Sequence, residues 1–213
     1  MSSFTNKDGA LIVTRLIETI QKNRDYLSEI DGKIGDGDHG INMNKGFTIC
    51  QEKLKDKDYD MSEGLSVLGE TLLEDIGGSM GPLYGLLFDE LAEASDGKDE
   101  IDANVFEEMI SNAVEGIEEI SIAKVGDKTL MDTLIPARDA FTSAKQNGAD
   151  FLSCVDAMQD AAKSGWESTK DLVAKIGRAS RLGERSKGVL DAGATSCFLI
   201  LNTISDTIKE LLH

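Results

Sequence analysis

Apolar residues recur along this chain at intervals of three and four, the spacing of one face of an α-helix. Leu16, Ile20, Leu27 and Ile30 define a first helix, and Met43, Phe47, Cys50 and Leu54 a second. Leu65, Leu68, Leu72 and Ile76 mark a third, and Leu83, Leu87 and Leu91 a fourth. Phe106, Met109, Ala113, Ile117 and Ile120 line a fifth, and Leu130, Leu134, Ala137 and Phe141 a sixth. A long seventh carries Phe151, Val155, Met158, Ala162, Trp166, Val173 and Ile176, and the eighth carries Leu201, Ile204, Ile208 and Leu211. No stretch alternates apolar and polar residues with β-branched enrichment, so no sheet is expected. Pro82 and Pro136 each fall near a predicted helix start, where a missing N–H costs little. No Gly/Ser/Pro-rich linker interrupts the pattern. It predicts a single all-α domain over residues 1–213, built from about eight antiparallel helices.

The polar signals sit at the junctions between these helices. Four stand out: residues 31–44, 77–85, 126–129 and 177–196. They are the first, third, fifth and seventh junctions. Antiparallel neighbours place alternate junctions at the same end of a bundle, so these four are expected to meet and form a composite site.

Composition adds a constraint. Apolar residues make up 40% of the chain, enough for a sizeable core, but aromatics only 5%, so the core must be mainly aliphatic. The formal net charge of −17 repels nucleic acid and anionic lipid, and neither partner is expected. A polyanionic ligand would need positive charge focused locally, most simply by a bound divalent cation. Cys50, Cys154 and Cys197 are far apart and lie in apolar stretches, which suits small core residues better than a disulfide framework. Asp8 precedes any apolar run, so the N-terminus does not read as a signal peptide. The run from Cys197 to Leu201 is too short to span a bilayer. A soluble cytoplasmic protein is the expectation.

The first junction reads Asp31-Gly-Lys-Ile-Gly-Asp36-Gly-Asp38-His39-Gly40. Three carboxylates within eight residues, spaced by glycines, can fold around one point. Clustered carboxylate oxygens suit Mg²⁺, which keeps positions for water and phosphate. A solvated turn with helix-capping aspartates fits the same residues. Gly35-x-Gly37-x-x-Gly40 matches the dinucleotide fingerprint formally, but no strand precedes it. An EF-hand fails, because the twelfth position counted from Asp36 is Phe47. Asn42 and Lys45, one turn beyond His39, face the same loop and could reach phosphates; an ordinary exposed lysine is the other reading of Lys45.

Gly77-Gly78-Ser79-Met80-Gly81-Pro82-Leu83-Tyr84-Gly85 runs into the fourth helix. Uncovered backbone N–H groups at a helix start can bind an anion or a base edge, and close helix packing is the alternative. Neither Gly-Lys pair, at Gly32 and Gly97, is followed by Ser or Thr, which excludes a Walker loop. The last junction concentrates basic residues, Arg178, Arg181, Arg185 and Lys187, in an acidic chain. Arginine offers a planar donor fork for phosphate, though such a loop can also simply pair with surface carboxylates.

Together these stretches resemble the nucleotide-binding L subunit of dihydroxyacetone kinases. The matching residues are Ile34-Gly-Asp-Gly-Asp-His-Gly-Ile-Asn-Met-Asn-Lys-Gly, the Gly77–Gly85 loop, Gly126-Asp-Lys-Thr, Gly177-Arg-Ala-Ser-Arg-Leu-Gly-Glu-Arg-Ser and Asp191-Ala-Gly-Ala-Thr-Ser. The resemblance implies a closed barrel of antiparallel helices with ADP or ATP across one end. It implies that Asp31, Asp36 and Asp38 bridge two Mg²⁺ ions to the phosphates. His39, Gly40, Ile41, Asn42, Gly78, Ser79, Met80, Ser121, Leu130, Arg178, Asp191, Ala192 and Gly193 are the implied nucleotide contacts, with Arg178 as the catalytic cation. The implied acceptor is a short ketone held covalently on a histidine of a separate K subunit. In the phosphotransferase-system branch the bound ADP is rephosphorylated by a phosphohistidine protein, the M subunit, fed by phosphoenolpyruvate. A chain of 213 residues has no room for a K domain and points to that multi-subunit branch, as a homodimer or within a hetero-oligomer. An ATP-dependent subunit with exchanging nucleotide, and a non-catalytic nucleotide-sensing adaptor, are the rival readings. The chain departs from the family at Ser79-Met80, where Ala-Ser is usual, at Ser121-Ile122, where Gly-Lys or Gly-Arg is usual, and at Asp191-Ala192-Gly193, where Asp-Pro-Gly is usual.

Overall fold

The computed structural model of the chain describes residues 2–212. Nine α-helices run through them: α1 (Ala10–Lys22), α2 (Arg24–Ile34), α3 (His39–Leu54), α4 (Met61–Asp75), α5 (Met80–Ser95), α6 (Ala103–Ile120), α7 (Met131–Gln146), α8 (Phe151–Ser168) and α9 (Ala192–Leu211). From α3 onward each helix packs on the next, and α9 closes the ring against α1. The fold is all-α, as the periodicity predicts. Every residue assigned to the faces of the second, third and sixth predicted helices is buried, and together they line one continuous apolar core. Cys50, Cys154 and Cys197 are free thiols inside it. Among the described residues no helix is long and apolar enough to cross a membrane.

Several boundaries differ from the pattern, each for a local reason. The first predicted helix is two. Asn23 turns its side-chain amide back onto the Thr19 carbonyl, 2.8 Å away, and breaks the run. Leu16, Ile20, Leu27 and Ile30 stay buried across the break. A sheet exists after all: β1 (Ser3–Thr5) pairs antiparallel with β2 (Glu100–Asp102), Phe4 opposite Ile101. Strands of three residues are too short to show alternation. Pro82 is in the first turn of α5, but Pro136 is in the second turn of α7. There it cannot bond the Asp132 carbonyl. That carbonyl faces α8 at Gly165, where a Cβ atom would come within 2.1 Å of it. The seventh predicted helix ends at Ser168, leaving Val173 and Ile176 in the connection to α9. Thr169 Oγ1 bonds the Trp166 carbonyl there, and two 3₁₀ segments follow, Thr169–Asp171 and Arg178–Ser186.

The acidic composition has a partial use in capping. Asp60 and Glu63 form a reciprocal capping box at the start of α4. Asp102, Asp150 and Asp191 accept backbone N–H groups at the starts of α6, α8 and α9. Asp38, at the N-cap position of α3, makes no such bond, which leaves its carboxylate for other work.

Candidate functional site

The α2–α3, α4–α5, α6–α7 and α8–α9 junctions converge on one open cleft of about 650 Å³. This is the meeting of alternate junctions expected from the sequence. Its acidic wall begins where α2 ends. Gly37 takes a left-handed turn at φ 77°, and the chain doubles back into α3. The turn is tight because α2 and α3 touch backbone to backbone at Gly40: a Cβ atom there would lie 1.9 Å from the Arg24 carbonyl and 2.8 Å from the Ser28 nitrogen. Asp31, Asp36 and Asp38 consequently present carboxylate oxygens that all lie within 4.8 Å of one another. Asp31 Oδ2 also accepts the His39 N–H at 3.3 Å. Three hard oxygen donors this close repel one another and call for a cation. Arg178 supplies one: its guanidinium pairs with Asp36 and stands 3.7 Å from Asp38. The donor set and its spacing fit a hard divalent ion.

His39 opens α3 at the edge of this wall and is buried. Its Nε2 meets Ser196 Oγ at 2.8 Å, and Ser196 Oγ meets the Tyr84 hydroxyl at 2.5 Å. Tyr84 also donates to the Gly193 carbonyl at 2.9 Å. One polar chain thus links α3, α5 and α9 beneath the cleft. Burial lowers the His39 pKa to about 4, against the attraction of Asp31, so the ring is neutral near pH 7. Burial likewise keeps Tyr84 protonated.

The opposite wall is apolar and glycine-rich. Gly77 and Gly78 have open space where side chains would be, with Gly78 at φ 76°. Ser79 and Met80 follow at the start of α5, and Ile120, Leu130 and Ile176 complete this side. Asp132 shapes the third junction by accepting Gly126 N–H at 2.6 Å and Thr129 N–H at 2.7 Å. Asp191 caps α9 through the Ala194 N–H at 2.7 Å, and burial raises its carboxyl pKa to about 7.

Of the residues expected at the site, Asp31, Asp36, Asp38, His39, Asn42, Gly78, Ser79, Met80, Ser121, Leu130, Arg178, Asp191, Ala192 and Gly193 line the cleft. Gly40 and Ile41 do not: Gly40 is packed under the turn, and Ile41 points to solvent, half exposed. Lys45 is also elsewhere, donating to the Asp75 carbonyl at 2.8 Å, so the ordinary exposed lysine is the right reading. Lys128 and Tyr84 line the cleft without having been singled out. Both lie inside stretches flagged as motifs, but nothing in the spacing says which side chain turns inward.

The DAK2 domain family model matches residues 33–206. The chain belongs to the DAK2 domain family. Among relatives of this family member, the ADP-binding subunit DhaL of PEP-dependent dihydroxyacetone kinase 2 from Listeria innocua is 38% identical over 194 residues, covering 90% of this chain and 89% of that one. The ADP-binding subunit DhaL of the PEP-dependent dihydroxyacetone kinase of Escherichia coli is 34% identical over 199 residues, covering 93% and 95%. The crystal structure of the C. freundii dihydroxyacetone kinase in complex with AMP-PNP and Mg²⁺ superposes with a TM-score of 0.69 at 23% identity. That match covers 92% of this chain but 33% of the longer one, and it establishes the likeness of fold. The DAK2 match begins at Lys33, so the acidic turn from Asp36 and all three later junctions fall within it.

Proposed function

We propose that this DAK2 protein is the nucleotide-carrying subunit of a dihydroxyacetone or related short-ketone kinase, with residues 1–213 acting as one nucleotide-binding unit. The observation that carries the reading is the convergence of the Asp31–Asp36–Asp38 triad, Arg178 and the open Gly77–Gly78 turn on one cleft. The names of the Listeria and E. coli relatives, and the AMP-PNP and Mg²⁺ in the C. freundii structure, support the same reading.

Asp31, Asp36 and Asp38 would hold two Mg²⁺ ions. When bound, the ions neutralise phosphate charge and polarise the transferring phosphoryl group. The chain's own residues do the rest. Arg178, released from Asp36 and Asp38, turns its donor fork to the phosphates. The N–H groups from Gly78 to Met80 face the ligand at the start of α5. Met80, Leu130 and Ile176 give an apolar wall for the adenine. His39, neutral and tied to Ser196, holds the start of α3 so that the triad keeps its shape. Phosphoryl transfer asks for little covalent work from such a site; positioning and charge neutralisation suffice.

The ketone belongs on a separate K subunit that covers the cleft, a division of labour in keeping with relatives named as ADP-binding subunits. The phosphoryl donor is a phosphohistidine protein of the phosphotransferase system, the M subunit, and the assembly works in the cytoplasm. The test is calorimetry of ADP binding with and without Mg²⁺, followed by reconstitution with a K-type subunit. Mg²⁺-dependent ADP binding, and ketone phosphorylation driven by the phosphohistidine donor, are expected. Activity at saturating ATP without that donor would favour exchanging nucleotide, and binding without any transfer would favour a nucleotide-sensing adaptor.

A further inference from the structure

Lys128 is a buried cation that the chemistry above does not use. It lies in the turn between α6 and α7 with a left-handed backbone, φ 64°, uncommon for a residue with a side chain. Only 1% of its surface is exposed. Its Nζ lies within hydrogen-bond distance of four backbone carbonyls, Thr169 at 2.7 Å, Leu172 at 3.2 Å, Ser186 at 2.8 Å and Val189 at 2.6 Å, so one of its three N–H groups is shared between two of them. All four partners are acceptors, so a neutral amine, with one lone pair and fewer protons, would fit worse than an ammonium. Burial lowers its pKa, and the charges of Asp191, Asp132 and Asp171 oppose that.

All four carbonyls come from the connection between α8 and α9, and they embrace its whole length. That connection carries Arg178 in its middle and delivers Asp191–Gly193 at its end, two parts of the cleft wall. Its two limbs are closed by Ala174 N–H to Ser186 Oγ at 2.9 Å, Gly188 N–H to the Lys170 carbonyl at 2.7 Å and Asp191 N–H to Thr169 Oγ1 at 3.1 Å; its other internal bonds are short-range turns such as Ser186 Oγ to the Gly183 carbonyl. Thr169 O also accepts the Leu172 N–H at 3.3 Å, and the ammonium serves the inward-turned carbonyls of Leu172, Ser186 and Val189 together with it at one point. The turn that holds Lys128 is itself fixed, through the two amides bonded by Asp132. A second tie runs beside it, from the Lys175 N–H to the Asp127 carbonyl at 3.1 Å. The strained backbone at Lys128 persists because these bonds over-determine it, a pattern that collects at working sites.

We propose that Lys128 is a positioning residue: its caged ammonium folds the α8–α9 connection so that Arg178 reaches Asp36 and Asp38. A free monovalent ion could fill the same ring of carbonyls, but a tethered one cannot leave, and it ties the loop to the α6–α7 junction on the other side of the site. The consequence for ligand binding rests on the Mg²⁺–nucleotide reading; the consequence for loop order does not.

Lys128→Met keeps the volume and removes the charge and donors. In nucleotide-free protein with chelator, trypsin cleavage after Arg178, Arg181, Arg185 and Lys187 is compared with cleavage after Lys55 and Lys57, which are exposed in another connection. Loop cleavage is expected to rise roughly tenfold or more with the reference sites unchanged, since local opening controls the rate. Calorimetric affinity for Mg²⁺–ADP is expected to fall about tenfold in the single variant. In an Arg178→Ala background, Lys128→Met should weaken binding less than about twofold further, because the two residues act as a unit. A lower melting temperature with unchanged loop cleavage would mark Lys128 as a general fold stabiliser and overturn the proposal. Should wild-type protein bind no Mg²⁺–ADP, the functional reading fails, and the cleavage comparison still decides the positioning role. Should Lys128→Met not fold, lysine acetylation of the wild type decides: Lys128 is expected to react at least about tenfold more slowly than Lys55, with acetylated molecules cut preferentially in the loop. Equal reactivity of Lys128 and Lys55 would overturn it.

Discussion

His39 Nε2 lies 2.8 Å from Ser196 Oγ and thereby joins the first residue of α3 to the first turns of α9, 157 positions away. The contact is buried, and the ring's pKa is lowered from 6.5 to about 4. The folded pKa is below the unfolded one, so the unfolded chain binds the extra proton first. The stability contributed by neutral His39 is therefore complete above about pH 6.5 and is lost as pH falls toward 4. On the order of 3 kcal/mol is at stake, from a shift of this size at about 1.36 kcal/mol per unit. Urea unfolding in chelator from pH 4 to 8 should show wild type losing stability through that window faster than His39→Gln. Parallel curves for the two proteins would contradict the buried neutral ring.

Binding to the triad should appear in thermal unfolding. At a Mg²⁺–ADP concentration of about 100 times the Kd, a ligand that binds only the folded state stabilises it by roughly 2.7 kcal/mol. For a chain of this size the melting temperature should rise by about 5–10 °C. Asp36→Ala should show little of that rise while keeping its ligand-free melting temperature near wild type, because Asp36 is exposed. An undiminished rise in Asp36→Ala would remove the triad from the binding site.

Gly40 tests the backbone beneath the triad rather than the triad itself. The Cβ atom of Gly40→Ala would sit 1.9 Å from the Arg24 carbonyl, a contact that only movement of α2 against α3 can relieve. A loss of about 1–3 kcal/mol is expected, as for other overpacked sites. Mg²⁺–ADP affinity should fall with it, although Gly40 does not line the cleft. Calorimetry together with chemical denaturation checks both effects; full affinity at reduced stability would separate the α2–α3 contact from the site.

Purified alone, the protein should phosphorylate no dihydroxyacetone, yet carry ADP through gel filtration in Mg²⁺ buffer and release it to chelator. Each 1.4 kcal/mol of binding that must be undone slows release about tenfold at constant association rate. Ultraviolet absorbance of the eluted protein, and a ketone-phosphorylation assay on the same fraction, check both. Efficient turnover by the isolated chain would end the proposed division of labour.

Most helices, the apolar core and the acidic triad were legible in the residue pattern. Helical spacing of Met43, Phe47, Cys50 and Leu54 is enough to bury one face, because burial depends on period and not on partners. Three aspartates among glycines can converge through local turns alone, so the triad was legible without any long-range contact. Other features depend on groups that are silent until distant segments meet. The pairing of Phe4 with Ile101 leaves no period in strands of three residues. The capping role of Asp60, Asp102, Asp150 and Asp191, against the uncapped Asp38, separates structural carboxylates from available ones, though all are the same residue in sequence. The neutrality of His39 comes from burial beside Ser196 and Tyr84, which no local spacing predicts. Lys128 is the clearest case. Its four partners are backbone carbonyls, which every residue possesses, so their identity cannot be read from side chains; only the path of the α8–α9 connection brings them to one ammonium.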